Sequence, residues 1–113
     1  VSETEEQRIR AVVQAVEDAR MALLATGETY DIGSDGRHPS RSDRYNDAIE
    51  AIHAANQARA RLLIDLIGKD ADSVPADLID RLGLGPKQAA HILRTAQYGT
   101  PRMMDHVFGS PEA

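Results

Sequence analysis

Apolar side chains recur at three- and four-residue intervals along two long stretches of this chain, the spacing that lines one face of a helix. Over residues 4–26, Ile9, Val12, Val13, Val16, Ala19, Leu23 and Leu24 form one such stripe. Ser2 followed by Glu5 is a candidate capping box, and the acids Glu3, Glu5 and Glu6 complement the helix dipole. Gly27 stands where the helix would stop. Over residues 43–67 the pattern is stronger. Tyr45, Ala48, Ile49, Ile52, Ala55, Leu62, Leu63, Leu66 and Ile67 keep the period, with Ser42 or Asp43 as N-cap and Gly68 as the stop. Alanines at 51, 54, 55, 58 and 60 allow a second helix to approach closely, and the first stretch is its natural partner, within the chain or across a dimer.

Between the two lies GETYDIGSDGRHPSRS, residues 27–42, whose glycines, proline and small polar residues break both periods. A connection of that length in a compact helical domain is either functional or disordered. Its basic later half, Arg37, His38 and Arg41 followed by Arg44, reads as a solvated linker or, alternatively, as a surface that touches phosphate.

Beyond residue 68 the periodic runs shorten. In the connection GKDADSVP, Ser73 is the expected cap of the next helix, with Pro75 in its first turn, where a missing N–H costs little. That helix ends at Leu82-Gly83, and a second runs from Pro86 to about Tyr98, where Gly99 stops it. Thr100-Pro101 offers a cap and a first-turn proline for a last short helix over 100–108, through Met103, Met104, Val107 and Phe108. The fold expected is all-α and a single domain over 1–113. It consists of a long helical hairpin (4–26 and 43–67), a helix-turn-helix (75–98) and a short C-terminal helix (100–108).

Composition narrows the chemistry. One Phe, three Tyr and no Trp leave an aliphatic core and few strand formers, which favours helices. The absence of cysteine excludes disulfides, thiolate metal sites and a cysteine nucleophile. No apolar run reaches membrane-spanning length, and VSETEEQRIR lacks the basic-then-apolar layout of a signal peptide, so the expected location is cytoplasmic, without a membrane partner. The net charge of −5 is unevenly placed. Residues 1–58 hold six basic and eleven acidic side chains, whereas residues 81–104 hold Arg81, Lys87, Arg94 and Arg102 with no acid. Placement matters more than the sum for a nucleic-acid binder.

The acid-free stretch coincides with a motif. PADLIDRLGLGPKQAAHILR, residues 75–94, resembles the helix-turn-helix of small bacterial DNA-binding regulators, and with the preceding AIHAANQARARLLIDLI the resemblance spans roughly residues 48–98. Two helices joined by a tight turn need a glycine where the backbone goes left-handed, and Gly83 supplies it. Leu78, Leu82, Leu84, Ala89 and Ile92 stand at the five apolar positions that pack such helices together. One position departs: Ile79 replaces the usual alanine or glycine facing the second helix, which predicts a splayed pair.

The resemblance implies a second helix that reads the major groove. Ala89, Ile92, Leu93 and Ala96 form its expected buried side. Lys87, His91, Arg94 and Tyr98 share the opposite face, flanked by Gln88 and Thr95, with Ala90 small enough to admit a groove wall. Lys87, Gln88 and His91 are expected near base edges, and Arg94 and Arg102 on phosphates. Double-stranded DNA is the implied partner. A homodimer through residues 4–26 and 43–67 is also expected, because paired recognition helices meet successive major grooves.

Other signals are thin. Glu50 and His53 form an ExxH pair, but di-iron bundles need two such pairs with further carboxylates, so a helix-surface Glu beside a His is the plainer reading. His38 and His106 have no evident partner, and the spacing from Asp31 to Asp35-Gly36 does not match a calcium loop. No catalytic residue, cofactor or metal is expected, and no enzymatic role. The competing reading is a helical protein-interaction module (antitoxin-like, an inhibitor or an accessory subunit) suggested by the acidic N-terminal half and the apolar Met103, Met104, Val107 and Phe108.

Overall fold

The computed structural model describes residues 4–28 and 38–109. Regular structure among them is entirely helical: α1 (Glu5–Ala25), α2 (Asp43–Ile67), α3 (Ala76–Leu82), α4 (Pro86–Tyr98) and α5 (Pro101–Phe108). The candidate cap Ser2, Arg37 and the Asp31–Gly36 segment lie outside the described residues.

Three helices begin on a side-chain cap. The box on α1 forms at Thr4 and Gln7 rather than Ser2 and Glu5: the Gln7 N–H donates to Thr4 Oγ1 at 3.1 Å, and the Thr4 N–H donates to Gln7 Oε1 at 2.8 Å. Ser42 Oγ accepts from the Tyr45 N–H at 3.1 Å, and Thr100 Oγ1 accepts from the Met103 N–H at 3.2 Å. The start of α3 corrects the expectation for Ser73. Pro75 is itself the N-cap, with no side-chain cap bond, and the helix proper begins at Ala76.

The long helices α1 and α2 pack against each other, and a continuous core ties them to the rest. Ile9, Ala60, Leu62, Leu63, Leu78, Leu82, Leu84, Ala89 and Ile92 form one buried cluster, with Val107 and Phe108 of α5 packed at its edge. Burial of each large aliphatic chain contributes roughly 1.5–3 kcal/mol, so this cluster is the main attractive term holding α3 and α4 to α2. The stripe on α1 is shorter than its periodicity suggests: Ile9, Val16 and Ala19 are buried, Leu23 is half-buried, and Leu24 is 72% exposed.

Polar side chains fasten the ends. Arg8 of α1 pairs with Asp65 of α2. Arg81 of α3 reaches Glu6 at 2.8 Å and Glu5 at 3.3 Å at the start of α1. Glu28, just past α1, accepts from the Ser42 hydroxyl and lies 3.8 Å from Arg41, whose guanidinium stacks 4.7 Å over the Tyr45 ring. Buried Asn46 completes this clasp, accepting from the His38 N–H at 2.7 Å and donating to the His38 carbonyl at 3.0 Å.

Candidate nucleic-acid interface

The geometry of α4 is set by the turn before it. Gly83 takes φ 69° and ψ 31°, the left-handed conformation that its sequence position predicts. The Leu84 N–H returns to the Ile79 carbonyl at 3.0 Å, and the Gly83 N–H to the Asp80 carbonyl at 3.1 Å, which together satisfy orphan carbonyls at the end of α3. Leu84 then tucks into the core, and the five apolar positions expected to pack this region (Leu78, Leu82, Leu84, Ala89 and Ile92) are all buried.

A residue the sequence reading passed over closes the turn from behind. Arg59 of α2 is 8% exposed and donates through Nη1 to the carbonyls of Leu82 and Gly83, both at 3.3 Å, and through Nη2 to Asn56 Oδ1 at 3.0 Å. A cation against the C-terminal carbonyls of α3 also suits the negative end of that helix dipole. Burial, reinforced by the charge of Arg20, holds the guanidinium pKa below its ordinary value. Its Nε has no hydrogen-bond partner among the described residues. The signal was present, since Arg59 follows Ala55 by four and precedes Leu62 by three on the buried stripe of α2.

From this anchored start α4 turns one side inward, burying Ala89, Ile92, Leu93 and Thr95. Lys87, His91, Arg94 and Tyr98 are exposed on the other, Tyr98 to 81%, and Ala90 is exposed as expected. Arg102, in the first turn of α5, is also exposed. Lys87, Arg94 and Arg102 make no ion pair among the described residues. Gln88 is exposed, with its Oε1 accepting from the Gly85 N–H at 3.4 Å, so it caps its own helix.

Three expectations change. Thr95 does not flank the exposed face: it is 1% exposed, and its hydroxyl finds no hydrogen-bond partner among the described residues. The backbone at Gly99 closes over it, so tightly that a Cβ there would lie 2.5 Å from the Thr95 carbonyl oxygen. Arg81, the first cation of the acid-free stretch, is engaged by Glu5 and Glu6. His106 has a partner after all, its ring lying 5.3 Å from that of His53 across α5 and α2.

The half-buried Ile79 borders a cleft of about 300 Å³, shared with Val74 and with Pro86, Ala90 and Leu93 of α4. Gln97 braces the far end of α4, donating to the carbonyls of Lys69 and Ala71, both at 2.8 Å. No group of three or more His, Cys, Asp or Glu side chains is placed to hold a metal among the described residues. No described helix is long and apolar enough to cross a membrane. No family model, curated protein or solved structure matches this chain.

Proposed function

We propose that this protein is a sequence-specific double-stranded DNA-binding regulator, cytoplasmic and dimeric, that reads the major groove with residues 86–97. The observation that carries the reading is the exposed line of Lys87, His91 and Arg94 on α4, without a carboxylate partner among the described residues and following the Gly83 turn. In a chain of net charge −5, cations on one helix face with no ion pair among the described residues are available to a polyanion. In this reading Lys87 and His91, in the first two turns of α4, meet base edges, and Arg94 and Arg102 meet the flanking phosphates. Gln88 reaches adenine only by releasing the Gly85 N–H, a weak bond to exchange. Tyr98 extends the same side toward the sugar-phosphate backbone.

The test is selection from random duplexes with the full chain, followed by a salt titration of the best sequence. Affinity should fall steeply with salt, and Arg94→Ala should flatten that slope by about 0.9, the loss of one phosphate contact. Lys87→Ala should instead relax preference at one base position, by about 1–3 kcal/mol if the contact is bidentate. Failure to enrich or retain any duplex at low salt overturns the reading and favours a helical protein-interaction module.

A further inference from the structure

The function read above leaves a pair of metal-ligating side chains unused. His53 of α2 and His106 of α5 are far apart in the chain, yet their rings lie 5.3 Å apart, with planes tilted by 47°. Both line a cleft of about 190 Å³ with Asn56, Gln57, Gln88 and Ile92. His53 is half-buried and His106 exposed, so solvent reaches the pair. A water molecule takes up about 30 Å³, so the cleft has room for an ion and several waters.

We propose that His53 and His106 bind one zinc ion, as the two protein ligands of a tetrahedral site completed by water. Distance decides the metal. Zinc–nitrogen bonds of about 2.0–2.1 Å put the centre of each imidazole ring about 3.2 Å from the ion. A tetrahedral angle then separates the two ring centres by about 5.2 Å, and the right angle of a square-planar site by about 4.5 Å. The observed 5.3 Å matches the first. The tilt between the planes is no obstacle, since each ring can turn about its own metal–nitrogen axis.

Hydrogen bonding fixes the state of one ligand atom. Gln57 Nε2 lies 3.4 and 3.2 Å from the carbonyl oxygens of Asp105 and His106, which can only accept, so it donates to them. The same amide nitrogen lies 3.1 Å from His53 Nε2, which must therefore present its lone pair, the form that binds a metal. Two amide hydrogens face three acceptors there, so Gln57 can yield the imidazole to zinc and keep both carbonyls. Glu50, one turn before His53, joins no three-ligand group among the described residues, so the ExxH spacing contributes its histidine and not its carboxylate. The net charge of −5 favours approach of a cation. With both rings on one ion, zinc would clip α5 to α2.

This inference stands apart from the DNA reading and is tested without DNA. The tag-free full chain is titrated with zinc chloride by calorimetry in a non-chelating buffer, and its four histidines are followed by NMR through their ring protons. The expected result is one zinc per chain, with the His53 and His106 signals shifting together while those of His38 and His91 hold. Cobalt(II), a spectroscopic stand-in for zinc, should give the intense visible absorption of tetrahedral coordination. His53→Ala and His106→Ala, each checked for unchanged helical circular dichroism, should weaken zinc binding about tenfold or more, at least what loss of an outer-shell partner costs. His38→Ala should leave it unchanged. No saturable binding at millimolar zinc, ring shifts at His38 or His91 in place of His53 and His106, a weak octahedral cobalt spectrum, or binding that survives both substitutions in folded protein would each overturn the proposal.

Discussion

A Cβ added at Gly83 would meet only Arg59 Nη1, at an ordinary 3.8 Å, so the obstacle to a side chain there is the left-handed backbone itself. Gly83→Ala should therefore cost about 1 kcal/mol, the ordinary penalty of that conformation, read as a shift in urea midpoint at unchanged slope. Arg59 exposes a different balance. Its buried charge is costly, yet it donates to two carbonyls at the end of α3. Arg59→Met roughly keeps the volume and strips the buried Leu82 carbonyl of this donor, so we expect a net loss of about 1–3 kcal/mol in denaturant melts. The residue's burial was legible in the stripe of α2, but its task was not, because the turn it closes lies more than twenty residues further along the chain. At the same end of α3, hydrogen bonding to Arg81, and then the charge of that guanidinium, hold the Glu6 carboxyl below its ordinary pKa. A depressed carboxylate contributes stability above its unfolded value, near 4.5, and that contribution is lost as pH falls through the lower folded value. Glu6→Gln should accordingly narrow the stability difference between neutral and acid pH, measured by thermal melts across that window.

Helices are the scale at which the sequence spoke most clearly. α2 begins and ends where its cap and glycine stop predict, and α3, α4 and the turn between them present all five expected apolar positions to the core. What periodicity could not supply was the extent of each partner. Leu24 keeps the rhythm of α1 but lies beyond the last buried position, Ala19. Thr95 looked like a flank of the exposed face, and it is buried because the chain folds over it at Gly99. The candidate interface was legible as a charged face, whereas the loss of Arg81 to α1 depended on a contact between residues far apart in the chain. The docking of α5 also depends on distant residues. The Gln57 amide of α2 donates to the carbonyls of Asp105 and His106, at 3.4 and 3.2 Å, and lies 3.1 Å from His53 Nε2. Arg61 adds a bond to the Phe108 carbonyl. Gln57→Ala should free the end of α5, raising hydrogen exchange over residues 104–109 several-fold while α3 and α4 stay protected.

Across the whole molecule, charge is sorted by position rather than by total. The acids of the N-terminal half secure Arg81 and Arg41, while Lys87, Arg94 and Arg102 are left with no ion pair among the described residues. That arrangement lets an acidic protein offer a cationic face. The clasp of Glu28, Ser42, Arg41 and Asn46 has a different consequence, one for protein engineering. Its side chains hold Glu28 and His38 to the start of α2, so closure there depends only weakly on how much chain runs between. Each doubling of such a stretch costs only about 0.6 kcal/mol. An epitope or a fluorescent reporter spliced in after Glu28 should leave the melting temperature within a few degrees of its starting value. The same graft in a Glu28→Ala background should lower it further, which would make residue 28 the natural place to append new cargo to this scaffold.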